Sequence, residues 1–175
     1  MGFSTNTFLF IFLLGTLAIY IPVSLILPRL RVFILLVVSI VFYAWASVKA
    51  LPVLAVITVL NYTAGLLLDR AKKRKIDVKP IIILGISIFL DVSILIFYKY
   101  TTFILGISFM SLSGISYLAD IYRGKVRAQK NFFSFALYMS FFVKIVEGPI
   151  IRYSDISKQL RRPEVSIERF TEGIR

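Results

Sequence analysis

The chain has 175 residues, of which 58% are hydrophobic and only 17% charged. Soluble domains are closer to half apolar and a quarter charged. At a mean hydropathy of +0.86 the apolar surface cannot be hidden inside so small a globule, so the chain is expected in lipid. A soluble enzyme, a secreted disulfide scaffold and a disordered tail are excluded. The sequence holds no histidine and no cysteine. That removes His-based triads, imidazole metal ligands and pH sensors, disulfides, thiolate nucleophiles, and zinc or iron–sulfur cages. The net charge of +12 fits attraction to the anionic inner leaflet and the positive-inside bias. Nucleic acid is not an expected partner, because the basic residues are scattered between apolar segments and form no single face.

The first apolar run, 8–27, carries no charge and matches the roughly 20 residues that a hydrocarbon core requires. A signal peptide fits badly, since residues 1–7 hold no Lys or Arg and no small-residue cleavage site follows. A tight Pro28-Arg29-Leu30-Arg31 connector leads to a second run, 32–47, ending in Phe42, Tyr43 and Trp45, an aromatic cluster at home at the headgroup level. The third run, 51–68, is broken only by Asn61 and Tyr62. A polar connector, 69–80, holds Arg70, Lys72, Lys73, Arg74, Lys75 and Lys79, and the fourth run, 81–98, encloses Asp91. The fifth, 102–118, contains Gly106, Gly114 and several serines, small residues that let helices approach closely in lipid. After a basic connector, 119–130, the aromatic-rich stretch 132–146 carries Lys144 and stops at Glu147-Gly148-Pro149. From Ser154 the chain turns amphipathic, and Ile156, Leu160, Val165, Ile167 and Phe170 predict an interfacial helix.

The charges set an orientation. With the N-terminus outside, the connectors rich in Lys and Arg (28–31, 69–80, 119–130) all face the cytoplasm, and the outer ones keep only Lys49 and Lys99. The stretch 132–146 is short for a span and ends in Gly-Pro, which suits a re-entrant hairpin that leaves the tail cytoplasmic. The expected architecture is therefore all-α and polytopic in the cell (inner, cytoplasmic) membrane. It has about five transmembrane helices, a re-entrant helical element and an interfacial C-terminal helix. Residues 1–150 form the multi-span region and 151–175 a cytoplasmic interfacial tail.

Ionisable groups inside a span are costly and mark function or packing. Asp91 lies near the middle of its run and is expected to bond a neighbouring helix, through Asn61 or Tyr62. Asn61 reads as interhelical glue. Asp120 and Arg123 have the spacing of a helical ion pair and read as an interfacial clamp, with Tyr117 and Tyr122 as headgroup anchors. Gly148-Pro149 breaks a helix and frees backbone groups. Flanked by Glu147 and Arg152, it predicts a polar wall on a substrate path. No nucleophile–base pair, phosphate-cradling loop or paired-carboxylate set can be assembled, so no catalytic residue, metal site or bound cofactor is assigned.

Val41-Phe-Tyr-Ala-Trp45, Asn61-Tyr62, Phe97-Tyr-Lys-Tyr100, Gly106-Ile-Ser-Phe109, Ile115-Ser-Tyr-Leu-Ala-Asp-Ile-Tyr-Arg-Gly124 and Glu147-Gly-Pro-Ile-Ile-Arg-Tyr153 occur in that order. Together with the opening Phe3-Ser-Thr-Asn-Thr-Phe-Leu-Phe10, they resemble the N-terminal half of membrane-bound O-acyltransferases. The branch that fits is the bacterial alginate O-acetyltransferase group, related to the D-alanyl transferases of teichoic acid. The resemblance implies transfer of an acyl group, usually acetyl, from a thioester or acyl-carrier donor to hydroxyls of an envelope polysaccharide. It also implies the bilayer, the polysaccharide acceptor and other envelope polysaccharide-modifying proteins as partners.

The family's essential histidine lies beyond the matched region, and this chain cannot supply such a general base. Two further departures stand out: the family's longer, proline-ended segment between Tyr100 and Gly106 is reduced to Thr-Thr-Phe-Ile-Leu, and Val143 stands where a proline is common. The expectation is a truncated family member, inactive alone. A non-enzymatic scaffold or modulator of an acyltransferase or polysaccharide-export complex is the rival. A small transporter ranks last for want of symmetric half-helices.

Overall fold

The computed structural model describes residues 12, 14–26, 30–73, 77–101, 106–141 and 153–155. Glu147, Gly148, Pro149, Arg152 and the expected tail helix lie outside the described residues. Among the described residues the long elements are six helices, with no strand: α1 (Leu14–Ile26), α2 (Arg31–Ala46), α3 (Ala50–Lys72), α4 (Pro80–Thr101), α5 (Ile107–Arg123) and α6 (Phe132–Ser140). Of these, α3 and α4 are long and apolar enough to cross a membrane, whereas α2 is a shorter apolar helix of 16 residues. The all-helical class stands, and among the described residues two helices have the length and composition of a span.

Helix ends follow local chemistry. Pro80 opens α4, a position where a missing N–H leaves nothing unpaired. Asn131 caps α6, its side chain accepting from the N–H groups of Phe133 (3.0 Å) and Ser134 (3.3 Å). Past the last turn of α5, Gly124 takes φ +80°. Its N–H bonds the Ile121 carbonyl, and the N–H of Lys125 bonds that of Asp120, both at 3.0 Å. That pairing is the Schellman closure. Helix α5 therefore runs on through Asp120 and Arg123, which the sequence reading had placed in a connector.

Helices α3, α4 and α5 pack on one another, and α6 packs on α2 and α3. The interior is apolar and aromatic, built from Phe42, Ile57, Leu68, Met110, Leu118 and Phe135. Helix α4 inverts the pattern of a soluble helix. Its buried residues are Ser87 and Asp91, one turn apart, while Phe89 is 71% exposed and Phe97 60%. Polar side in and large apolar side out is the arrangement that lipid demands.

Asn61 on α3 meets Gly114 on α5, and Gly65 on α3 meets Tyr117 on α5. Residue numbers rise together, so the two helices run parallel. Short connections make α4 antiparallel to both, and α2 antiparallel to α3. The C-terminal ends of α3 and α5 and the starts of α2 and α4 thus share one end of the bundle. Exposed Arg70, Lys73, Lys79, Arg123 and Lys125 gather at that end, and Lys49 and Lys99 stand at the other. The headgroup assignment of the α2 cluster holds only in part: Trp45 is exposed, but Phe42 and Tyr43 are buried in the core.

After Gly124 the chain doubles back. The Tyr62 hydroxyl donates to the Lys130 carbonyl at 2.7 Å, and the Gln129 N–H donates to the Tyr117 hydroxyl at 3.0 Å. Tyr62 lies roughly 15 Å nearer the middle of α3 than Lys72, at 1.5 Å of rise per residue. The 124–131 connector therefore descends along the bundle and starts α6 at mid-height.

Candidate functional site

At the centre of the bundle Asn61 and Asp91 are both fully buried, at 0% exposure. The Asn61 amide nitrogen donates to Asp91 Oδ1 at 2.9 Å and to the Ile57 carbonyl, one turn earlier on its own helix, at 3.0 Å. Asp91 thus bonds a neighbouring helix, and the partner is Asn61 rather than Tyr62. Asn61 Oδ1 and Asp91 Oδ2 have no hydrogen-bond partner among the described residues. Their contact needs Gly114: a Cβ there would stand 2.6 Å from Cγ, Nδ2 and Oδ1 of Asn61. The reciprocal contact uses Gly65, where a Cβ would stand 2.6 Å from Tyr117 Cε1 and 2.8 Å from its hydroxyl. Each helix inserts one polar side chain over a glycine of the other.

Around this junction lies an aromatic wall. The Tyr117 ring is 4.7 Å from that of Phe135 and 4.9 Å from that of Tyr153, and Tyr138 lies 5.0 Å from Tyr153. Tyr62 packs on Phe132 at 5.3 Å and Phe135 at 5.7 Å. The Tyr138 hydroxyl donates to the Ser113 carbonyl at 3.3 Å. Tyr153 is thus part of this wall, and it immediately follows Arg152 in sequence.

Two sequence expectations are corrected. Tyr117 is no headgroup anchor. It is fully buried, because Gly65 leaves room for its ring and the Gln129 N–H partners its hydroxyl; Tyr122, at 39% exposure, does face outward. Asp120 and Arg123 also make no ion pair. The salt bridge among the described residues joins Lys73 to Asp69, one turn apart on α3. Asp120 turns inward and is buried, and among the described residues its Oδ2 has no hydrogen-bond partner. Arg123 stays exposed at the helix end. The clamp found at this end is Lys72, whose Nζ donates to the carbonyls of Ile121 (3.0 Å) and Tyr122 (2.8 Å). A cation there satisfies the last carbonyls of α5 and the negative end of its dipole.

Chemically, the described residues make a packed polar junction. Among them no group of three metal-ligating side chains converges. The roles of Gly65, Lys72, Gln129 and Asn131 were missed in the sequence reading. Only Asn131, an Asn directly before an apolar run, carried a readable local signal.

No family model matches the chain, and no solved structure does. Curated proteins do. The chain is 33% identical over 197 residues to the probable alginate O-acetylase AlgI of Pseudomonas aeruginosa, a match covering 99% of the chain and 37% of that protein. With the corresponding protein of Pseudomonas fluorescens it is 34% identical over 180 residues, covering 99% and 36%. A peptidoglycan O-acetyltransferase of Helicobacter pylori matches at 28% over 208 residues, covering 91% of the chain and 38% of that enzyme. The chain spans little more than a third of the length of these relatives. The order of motifs around Asn61, Asp120 and Glu147 and the aligned identity lead to the same place: over nearly its whole length, the chain's curated homologues are alginate O-acetylases of the membrane-bound O-acyltransferase family.

Proposed function

We propose that these 175 residues form the N-terminal framework of a membrane O-acyltransferase that moves an acyl group, acetyl by resemblance, onto hydroxyls of an envelope polysaccharide. The observation that carries this reading is the 33% identity across 99% of the chain to an alginate O-acetylase. The packed junction of α3, α4 and α5 supports it as framework. Glu147, Gly148, Pro149 and Arg152 belong to the substrate path of this proposal, and the Asn61–Asp91 bond joins α3 to α4.

The framework catalyses nothing on its own. Taking the proton from an acceptor hydroxyl needs a general base near neutrality, and a chain without histidine brings none of the kind the family uses. A thioester or acyl-carrier donor is used by the intact enzyme. The chain lies in the inner membrane with its basic end cytoplasmic, as the positive-inside bias directs.

Two preparations test this. Membranes containing the 175-residue chain alone transfer no acyl group above background from a thioester donor to polysaccharide. A chimera in which the chain replaces the matched segment of the Pseudomonas aeruginosa protein O-acetylates. Turnover by the chain alone, abolished by Glu147→Ala, would overturn the framework reading, and a stably inserted chimera without activity would remove its support.

A further inference from the structure

The Asn61–Asp91 junction is one hydrogen short. The Asn61 amide nitrogen has spent both of its N–H groups, on Asp91 Oδ1 at 2.9 Å and on the Ile57 carbonyl at 3.0 Å. A carbonyl only accepts, so the Ile57 bond fixes which end of the amide is nitrogen. Two acceptors are left over, Asn61 Oδ1 and Asp91 Oδ2, on residues that are both at 0% exposure. Nothing among the described residues donates to either. The Ser87 hydroxyl, one turn from Asp91, is bonded to the Ile83 carbonyl at 2.8 Å, and the buried Ser111 hydroxyl bonds neither oxygen.

The junction also lacks a counter-charge. Helix α4 packs against α3 and α5. Helix α3 carries no charged residue before Asp69, α5 none before Asp120, and α4 none but Asp91 before Lys99. The cations Arg70, Lys99 and Arg123 stand eight or nine residues from Asn61, Asp91 and Gly114, which is roughly 12–13 Å of helix rise. Tyr62, Tyr98 and Tyr117 add no charge at neutral pH, and the Tyr62 and Tyr117 hydroxyls are engaged with the main chain of Lys130 and Gln129. A bare carboxylate here would be an uncompensated buried charge, the costliest group to leave inside a protein. A water could bridge the two oxygens, but it would leave that charge in place. A proton supplies the missing donor and removes the charge in one step.

We propose that Asp91 is a proton-binding site: its Oδ2 carries a proton and donates it in a hydrogen bond to Asn61 Oδ1. Acid and amide then pair through two hydrogen bonds, and a neutral latch joins α3 to α4 at the centre of the bundle. The site stands apart from the acyltransferase reading and uses described residues alone.

Infrared spectra of the full chain in lipid nanodiscs at neutral pH read the proton directly. With its aspartates isotope-labelled at the side-chain carboxyl carbon, the chain shows a carboxylic-acid C=O band shifted from its unlabelled position. Asp91→Asn removes this band. Asp120→Asn, which alters the other buried aspartate among the described residues, retains it. Where Asp91→Asn misfolds, Asp91→Glu assigns the band instead, because it keeps a carboxyl in place outside the labelled set. Asn61→Leu takes away the acceptor and moves the band to higher frequency. A labelled wild-type chain with carboxylate stretches and no acid band would overturn the proton; that is also the spectrum of a water-bridged carboxylate. A band surviving the Asp91 variants would put the proton elsewhere and overturn the site, and one unmoved by Asn61→Leu would overturn the pairing.

Discussion

Asn61 is the residue on which the bundle turns, because three helices depend on one amide. Its nitrogen holds Asp91 of α4, and its side chain occupies the space that Gly114 of α5 leaves open. Replacing Gly114 with Ala would put a methyl 2.6 Å from three Asn61 atoms. The crowding is expected to cost about 1–3 kcal/mol, read as a lower unfolding temperature in detergent. In an Asn61→Ala background the same change becomes nearly neutral, and strict additivity of the two substitutions would refute the contact as the cause. The hydrogen bond gives a second expectation. Asn61→Leu strips the donor from a buried carboxylate and costs about 1–3 kcal/mol. Asp91→Asn is tolerated, since an amide still accepts from Asn61 Nδ2 and can donate to Asn61 Oδ1, which otherwise has no partner. Equal losses from the two variants would show that the pair is not held by this bond.

At the scale of the helices, the ends carry the next test. Gly124 adopts φ +80°, and a Cβ there would stand 3.2 Å from Lys72 Nζ. Gly124→Ala is therefore expected to cost about 1–2 kcal/mol from left-handed backbone strain and to loosen the Lys72 bonds to α5. Lys72→Met removes those bonds without touching the backbone. Hydrogen exchange in the last turn of α5 separates the two: both variants accelerate it, and Lys72→Met leaving it unchanged would deny the cap. Some of this architecture was legible in the sequence. Apolar runs gave the starts of α2 to α4 to within one residue, because helices in lipid are written in unbroken hydropathy, but α3 and α4 run on past the apolar runs to Lys72 and Thr101. Asp91 stood out as a lone charge in such a run with Asn61 or Tyr62 as its partner, and the structure selects Asn61. The connector after Gly124 was not legible, and neither was the burial of Tyr117. Both depend on hydroxyls meeting main-chain groups, Tyr62 to Lys130 and Tyr117 to Gln129. Every residue carries such groups, so side-chain pattern holds no trace of which are used. The Asp120–Arg123 spacing misled for a related reason: it states that two residues can meet on a helix, and tertiary packing turned one of them inward.

Across the whole molecule the decisive pattern is the division of charge between two ends. Arg70, Lys73, Lys79, Arg123 and Lys125 share an end with the start of α2 at Arg31, and Lys49 and Lys99 lie opposite. The parallel register of α3 and α5 forces this grouping, since both C-terminal ends carry basic residues. The positive-inside bias predicts a single orientation for the bundle, with the basic end in the cytoplasm. Cysteines at Lys99 and Lys125 report it: in right-side-out vesicles an impermeant thiol reagent labels Lys99→Cys and spares Lys125→Cys, and in inside-out vesicles the preference reverses. Labelling of both from one side would mean that α4 does not cross. A reversed pattern would place the basic end outside and break the link between charge and orientation. Exchanging Arg123, Lys125 and Arg127 for Gln weakens the bias without touching the Asn61–Asp91 junction. A mixed-orientation population of intact bundles is the expected result, read as partial labelling of Lys99→Cys from both sides with an unchanged unfolding temperature.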